Sequence, residues 1–487
     1  MDQSKTPLFE ALVNHRQNSP VSYHVPGHKN GRLFMEKGKI LYQSILSIDA
    51  TEITGLDDLH APEGPIREAQ SLLADFYGAK ESFFLVNGST AGNIAMILAA
   101  CGEGDTVLVQ RNCHKSILHG LMLANVRPVF LHPMIHEEWG IAGGIQADIV
   151  EKAFSLYPES KALVLTYPNY YGLGQDIQEI IQLAHKKGIP VLVDEAHGAH
   201  FAAGAPFPMS ALSAGADAVV HSAHKTLPAM TMGSYLHLHD SSYINEEKVR
   251  FYLQMLQSSS PSYPIMASLD LARSYIASFT KEDCEALIKR INAFRKSLQW
   301  IDGIEVLDPP QGAASDPLKV SIRSVKGLSG FRLQEKLEEA GIYTELADSY
   351  QVLFVLPLLK KEDDYDFGET VRLIEKAAVS EQIDKENLSS FSLNRGEGIS
   401  ELKLSFSKMK TARKKIVPFE KAMHEIAAEM IIPYPPGIPL IMSGEIITGE
   451  RMDTLQRLLK DGARFQGGDS LAERKIAIYE KDSDGLS

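Results

Sequence analysis

The sequence predicts an α/β fold built on a mainly parallel sheet, followed by a smaller α+β domain and a C-terminal domain. Two observations carry this. From about residue 65, short β-branched apolar runs alternate with helical segments, as strands do when helices cover both faces of a parallel sheet. After about residue 275 the alternation gives way to amphipathic helices with a few strand-like runs.

Residues 1–60 are rich in His, Pro and Gly and read as irregular; His24-Val25-Pro26-Gly27-His28 cannot lie inside a helix. Strands are expected at Phe83–Val86, Thr106–Val109, Pro128–Leu131, Ala162–Thr166, Pro190–Val193 and Ala218–His221. Helices are expected at Asn93–Ala100, Ile177–Lys187 and Pro208–Ala214, with Gly102, Gly104, Gly188 and Gly215 where helix hands over to strand. The second texture places Leu287, Ile288, Ile291 and Phe294 on one helix face and strands at Leu318–Ile322 and Val352–Leu356. A last helix is expected near Phe419–Met430, before the Pro-rich segment Tyr434–Pro439. These textures divide the chain at 1–275, 276–383 and 384–487.

Composition narrows the function. The 487 residues are 44% hydrophobic and 23% charged, ordinary for a globular protein with a sizeable core. A net charge of −13 argues against a general nucleic-acid surface. Three scattered cysteines, Cys101, Cys113 and Cys284, make neither a disulfide framework nor a thiolate metal site. No apolar run reaches the ~18 residues that cross a bilayer, and no signal-peptide core follows the N-terminus, so a cytoplasmic protein without a membrane partner is expected.

Three strand ends carry the chemistry. Asn87-Gly88-Ser89-Thr90-Ala91-Gly92-Asn93 follows one strand and opens a helix, where free N–H groups and hydroxyls suit a phosphate. An ordinary N-cap would look the same. Asp194-Glu195-Ala196-His197-Gly198 puts an acid at the carboxyl end of a buried strand, where open α/β sheets bind ligands; a helix cap, or a metal site with His197 and His200, is the alternative. Ser222-Ala223-His224-Lys225 puts a lysine directly behind another strand, where its desolvation is costly unless the amine is neutral or covalently used; a surface loop lysine is the plain reading. Together an anion cradle, a carboxylate and a lysine at strand ends are what pyridoxal 5'-phosphate requires: lysine for the imine, acid for the pyridine nitrogen, helix end for the phosphate. His24 and His28 share no defined helical face for a metal, and His60 and His119 read as structural histidines.

At this point the sequence resembles the fold-type I, aspartate-aminotransferase-like enzymes, and within them the Orn/Lys/Arg decarboxylases. The resemblance runs nearly end to end, through Thr6-Pro7-Leu8, His24–Lys29, Leu56-Asp57-Asp58-Leu59-His60, Asn112–Ser116, Asp194–Gly198, Ser222–Lys225, Ser260-Pro261-Ser262-Tyr263, Tyr434–Pro439 and Gly444-Glu445. It implies decarboxylation of arginine, lysine or ornithine, as in polyamine biosynthesis. It also implies that Lys225 carries the cofactor, Asp194 pairs with the pyridine nitrogen, His114 stacks on the ring and His197 sits near the phenolic oxygen. Ser89, Thr90, Ala91, Ser222 and His224 would hold the phosphate. The turn Ser258-Ser259-Ser260-Pro261 would reach the phosphate of a second subunit, making a homodimer, and Glu345 would receive the substrate's distal cation. The chain begins at the Thr-Pro-Leu segment and so resembles the shorter branch, without a receiver-like N-terminal domain. An aminotransferase or lyase on the same fold is the first rival, disfavoured because no late arginine can be identified to clamp a substrate carboxylate. A non-catalytic relative is the second.

Overall fold

The computed structural model describes residues 1–241, 243–378, 398–433 and 438–480. The α/β fold forms as expected, in two compact units that interleave along the chain: Met1–Ala100 with Ile177–Cys284, and Cys101–Asp176 with Glu285–Ser487. The expected boundary near 383 and the residues Tyr434–Gly437 lie outside the described residues.

The first unit holds four neighbouring strands in the order Glu81–Leu85, Ser234–Leu238, Ala218–His221, Val191–Asp194. The last two pair in parallel, with Asp194 opposite Val220; the others pair antiparallel. Every residue of the inner strands is buried, which is why Val191–Asp194 and Ala218–His221 read as apolar runs with a polar residue only at the end. Ser234–Leu238 escapes the sequence pattern because a buried histidine, His237, interrupts it.

Residues 1–60 are more regular than expected, with helices Pro7–Gln17 and Glu36–Leu46. The first is fixed by tertiary groups invisible to local pattern. Asp270 accepts hydrogen bonds from the N–H groups of Leu8 and Phe9, and the fully buried Arg273 pairs with Asp270 at 2.8 Å and donates to Gln3 O and Lys5 O. This accounts for the Thr6-Pro7-Leu8 signature: proline starts a helix whose orphan donors meet a buried carboxylate. The segment Pro208–Ala214 is not helical. Its backbone turns under Ala211, whose N–H donates to Glu195 Oε1 at 2.7 Å.

In the second unit, strand Thr106–Gln110 pairs in parallel with Arg127–Leu131 and with Ala162–Thr166, and Ile399–Glu401 adds antiparallel to Arg127–Leu131. The smaller α+β part is an antiparallel sheet ordered Ile304–Val306, Lys319–Ser324, Gln351–Val355, Leu346–Ala347, with helix Gly330–Glu339 against it. The helix expected over Phe419–Met430 is a single 3₁₀ turn, Phe419–Lys421. The rest is drawn out by pairing: His424 N–H donates to Ile447 O, Ala427 N–H to Glu445 O and Ala428 N–H to Ala477 O, while Ala427 and Ile431 join a buried apolar cluster. Tertiary pairing has overridden helix propensity there.

Gly444-Glu445 acquires a physical meaning in this unit. Buried Glu445 takes a two-pronged interaction from Arg111, at 3.1 and 2.9 Å, and a third bond from Arg451 at 3.2 Å. Burial works to raise its pKa, but the two guanidinium groups outweigh burial and hold the carboxyl below its ordinary value. Glu445→Ala leaves the buried Arg111 and the partly buried Arg451 without their shared carboxylate, and chemical denaturation is expected to show a loss of about 3 kcal/mol. Because the folded pKa is depressed, this contribution is complete above about pH 4.5 and is lost as pH falls through the lower folded value. Wild type and variant should therefore converge in stability under acid and differ at neutral pH.

Candidate active site

The site is built where the parallel strands of the first unit end. Asp194 is the last residue of its strand and is buried. Its Oδ2 accepts from Asn93 Nδ2 at 2.8 Å, and its Oδ1 from Ala196 N–H at 3.2 Å. Burial pushes the Asp194 carboxyl up, with Lys225 nearby and the Asn93 bond opposing. A carboxylate so placed is stabilised by a cation beside it.

Asn93 belongs to helix Gly88–Ala100, which starts at Gly88 with φ +76° directly after strand Glu81–Leu85. The helix lies close upon the sheet: a Cβ on Gly92 would stand 2.7 Å from Leu85 and 3.1 Å from Val220. That approach delivers Asn93 to Asp194, and it leaves Ser89 and Thr90 at the accessible helix start. Ser222, at the end of the next strand, donates from Oγ to Ser89 Oγ at 2.7 Å. His224 Nδ1 is 3.0 Å from Gly233 O, and Lys225 Nζ is 3.1 Å from His197 Nε2. Asp194, His197, Ser89, Ser222 and Lys225 thus gather in one unit, as their strand-end positions suggested. Asn93 has no role that the sequence reveals, because nothing in the sequence says which helical residue meets the acid.

The turn Ser258–Ser260 is exposed, and Ser258 N–H donates to Asn87 Oδ1 of its own chain at 3.3 Å. It is held from the other side by His60, whose Nε2 is 2.9 Å from Ser258 O, so His60 is structural. His28 meets Asp49 at 3.1 Å and the N–H of Gly31 at 3.0 Å.

The sequence profile of the Orn/Lys/Arg decarboxylase major domain matches residues 6–314, and that of the family's C-terminal domain matches residues 398–467. The chain belongs to the Orn/Lys/Arg decarboxylase family. Among curated relatives, the uncharacterized protein YaaO of Bacillus subtilis (strain 168) is 48% identical over 479 residues, covering 97% of this chain and 98% of its own. Arginine decarboxylase of the same organism is 34% identical over 492 residues, covering 99% of each chain. Of solved structures, the constitutive lysine decarboxylase of Escherichia coli superimposes with a TM-score of 0.79 at 22% identity, over 98% of this chain and 82% of that one. That likeness speaks to fold. The protein is a pyridoxal-phosphate-dependent decarboxylase of this family, and its own side chains fit the cofactor. A buried acid whose pKa is raised by burial suits a protonated ring nitrogen. Hydroxyls at an accessible helix start suit a phosphate.

Two expected site residues lie in the second unit. His114 caps helix Lys115–Ala124, its Nδ1 2.8 Å from Ser116 Oγ. Glu345 is exposed, and its N–H donates to Leu353 O at 3.0 Å. Among the described residues no helix is long and apolar enough to cross a membrane.

Proposed function

We propose that this decarboxylase acts on a basic amino acid, with arginine, lysine and ornithine the candidates, and supplies an amine of the kind used in polyamine biosynthesis. The observation that carries the reading is the convergence of Asp194, His197 and Lys225 at two parallel strand ends beside the Ser89–Ser222 pair. When bound, pyridoxal phosphate supplies the electron sink for the pair released as the carboxylate leaves. Lys225 is assigned the covalent attachment. Asp194 holds the proton on the ring nitrogen, and Asn93 fixes the carboxylate that does so. Ser89, Thr90, Ala91, Ser222 and His224 are assigned to the phosphate, Ser259 to that of a second subunit, and His114 to the ring face. Lys225 or His197, 3.1 Å apart, would hold the proton returned to Cα.

Glu345 is the acid assigned to the distal cation. Two other acids, Asp57 and Asp348, are already used: Asp57 accepts from the N–H groups of Glu63, Gly64 and Ile66 at a helix start, and Asp348 binds Tyr171, Tyr350 and Gln351. Glu345→Gln is expected to raise KM for the preferred amino acid about tenfold or more, the loss of one charge-assisted bond. Unaltered KM for all three amino acids would remove Glu345. The same side-by-side assay, reading carbon dioxide release, tests the function and ranks the substrates.

A homodimer is proposed as the active unit. In the single chain Tyr23 is 93% exposed, Ile40 88%, Leu41 79% and Met35 77%, an apolar display that a soluble monomer rarely carries. Since these side chains touch little of their own chain, the double variant Ile40→Lys, Leu41→Glu is expected to fold, sediment as a monomer and lose most activity. A fully active monomeric wild type would refute the dimer.

A further inference from the structure

On the face of the first unit's sheet away from Asn93, four side chains from four neighbouring strand lines form one continuous buried chain. Glu195 Oε2 is 2.6 Å from His221 Nε2, His221 Nδ1 is 3.1 Å from His237 Nε2, and His237 Nδ1 is 2.7 Å from Ser82 Oγ. All four are wholly buried. Ser82 stands directly opposite His237 in register, and alternation along the strands puts Glu195, His221, His237 and Ser82 on one face, with Asp194 and Val220 on the other. Tyr77 packs on the same face, its ring 4.4 Å from that of His237 and 5.1 Å from that of His221.

The proton pattern follows from the acid end. A carboxylate only accepts, so His221 Nε2 donates to it and Ala211 N–H donates to its other oxygen. With His237 neutral, its Nε2 donates to His221 and its Nδ1 accepts from Ser82. Burial holds His237 well below the ordinary histidine pKa, which suits that arrangement. Gly198 of the Asp194–Gly198 motif is required by the same device: a Cβ there would stand 2.6 Å from Glu195 Cγ.

Apolar residues would fill this face at no cost in desolvation. What the polar chain adds is position. Glu195 directly follows Asp194, and its N–H donates to Val220 O at 2.9 Å; His221 directly precedes Ser222, whose N–H reaches Ala196 O at 3.3 Å. The Glu195–His221 bond therefore clamps the two strand ends that bear Asp194 and the Ser222–Lys225 turn. We propose that Glu195 and His221, ordered by His237 and Ser82, are positioning residues that set Asp194 against Lys225 from behind the sheet. This rests on the cofactor roles given above to Asp194 and Lys225.

The test compares Glu195→Gln with wild type. A glutamine amide that keeps its oxygen on Ala211 N–H donates to His221, which forces both rings into the opposite tautomer and replaces the charge-assisted bond of the clamp by a neutral one. Expected are a fall in kcat of about tenfold to a hundredfold with KM within about twofold, and about tenfold weaker binding of pyridoxal phosphate by the apoprotein, read by absorbance titration without turnover. If Glu195→Gln does not fold, His237→Gln breaks the chain away from Asp194 and should lower kcat about threefold to tenfold with unchanged KM. A variant that folds and melts earlier but keeps wild-type kcat and cofactor affinity overturns the proposal, leaving a purely structural chain. Wild-type protein that binds no cofactor would instead overturn the cofactor roles, a result separable from the first.

Discussion

Lys225→Ala is expected to abolish decarboxylation, lowering turnover by at least about three orders of magnitude, and to remove the visible absorbance of covalently held cofactor. Lys225 follows strand Ala218–His221 and is only partly buried, with His197 as a neighbour at 3.1 Å. Because that side chain is only partly buried, the variant should unfold close to the wild-type temperature and still bind pyridoxal phosphate non-covalently. Spectra taken before and after adding cofactor, beside a carbon dioxide assay, check both halves. Near-normal turnover would remove Lys225 from the chemistry and with it the cofactor reading of the site.

Asp194→Asn is the second large effect. The amide keeps the size of the carboxylate; its oxygen can still accept from Ala196 N–H, and its NH2 can donate to Asn93 once that side-chain amide turns over, so the local structure should hold. What it loses is the charge. In a fully buried place, with burial already pushing the acid's pKa up, a neutral amide cannot retain a proton on the ring nitrogen, and kcat should fall about 10²–10³-fold. The visible band should persist, because Lys225 is intact. Unchanged kcat would show that Asp194 serves only as an anchor for Asn93.

Much of this was legible in the sequence. Ala162–Thr166 and Ala218–His221 form as strands over the expected residues, because buried parallel strands are continuous apolar runs between turn residues. The residues at the strand ends, Asp194 and Lys225, followed from the same logic. What stayed hidden depends on partners distant in sequence. Helix Pro7–Gln17 is held by Asp270 and Arg273, more than 260 residues on. The stretch Phe419–Met430 has helical composition and is nevertheless drawn into bridges with residues 445, 447 and 477. Strand Ser234–Leu238 was missed because His237 breaks the apolar run, and His237 is there for Ser82 and His221. Asn93 belongs to the Asn87–Asn93 motif, yet its partner is not readable there. Only the close seat of its helix, permitted by Gly92, shows that it holds Asp194.

The central claim is that this chain decarboxylates a basic amino acid with pyridoxal phosphate held by Lys225. It is tested most directly by incubating the purified, cofactor-loaded protein with arginine, lysine and ornithine, each labelled in the α-carboxyl carbon. Labelled carbon dioxide is expected from at least one of them, matched mole for mole by the corresponding amine, and none from the Lys225→Ala variant. Keto-acid formation without carbon dioxide, or no release from any of the three by protein with a full visible cofactor band, would contradict it.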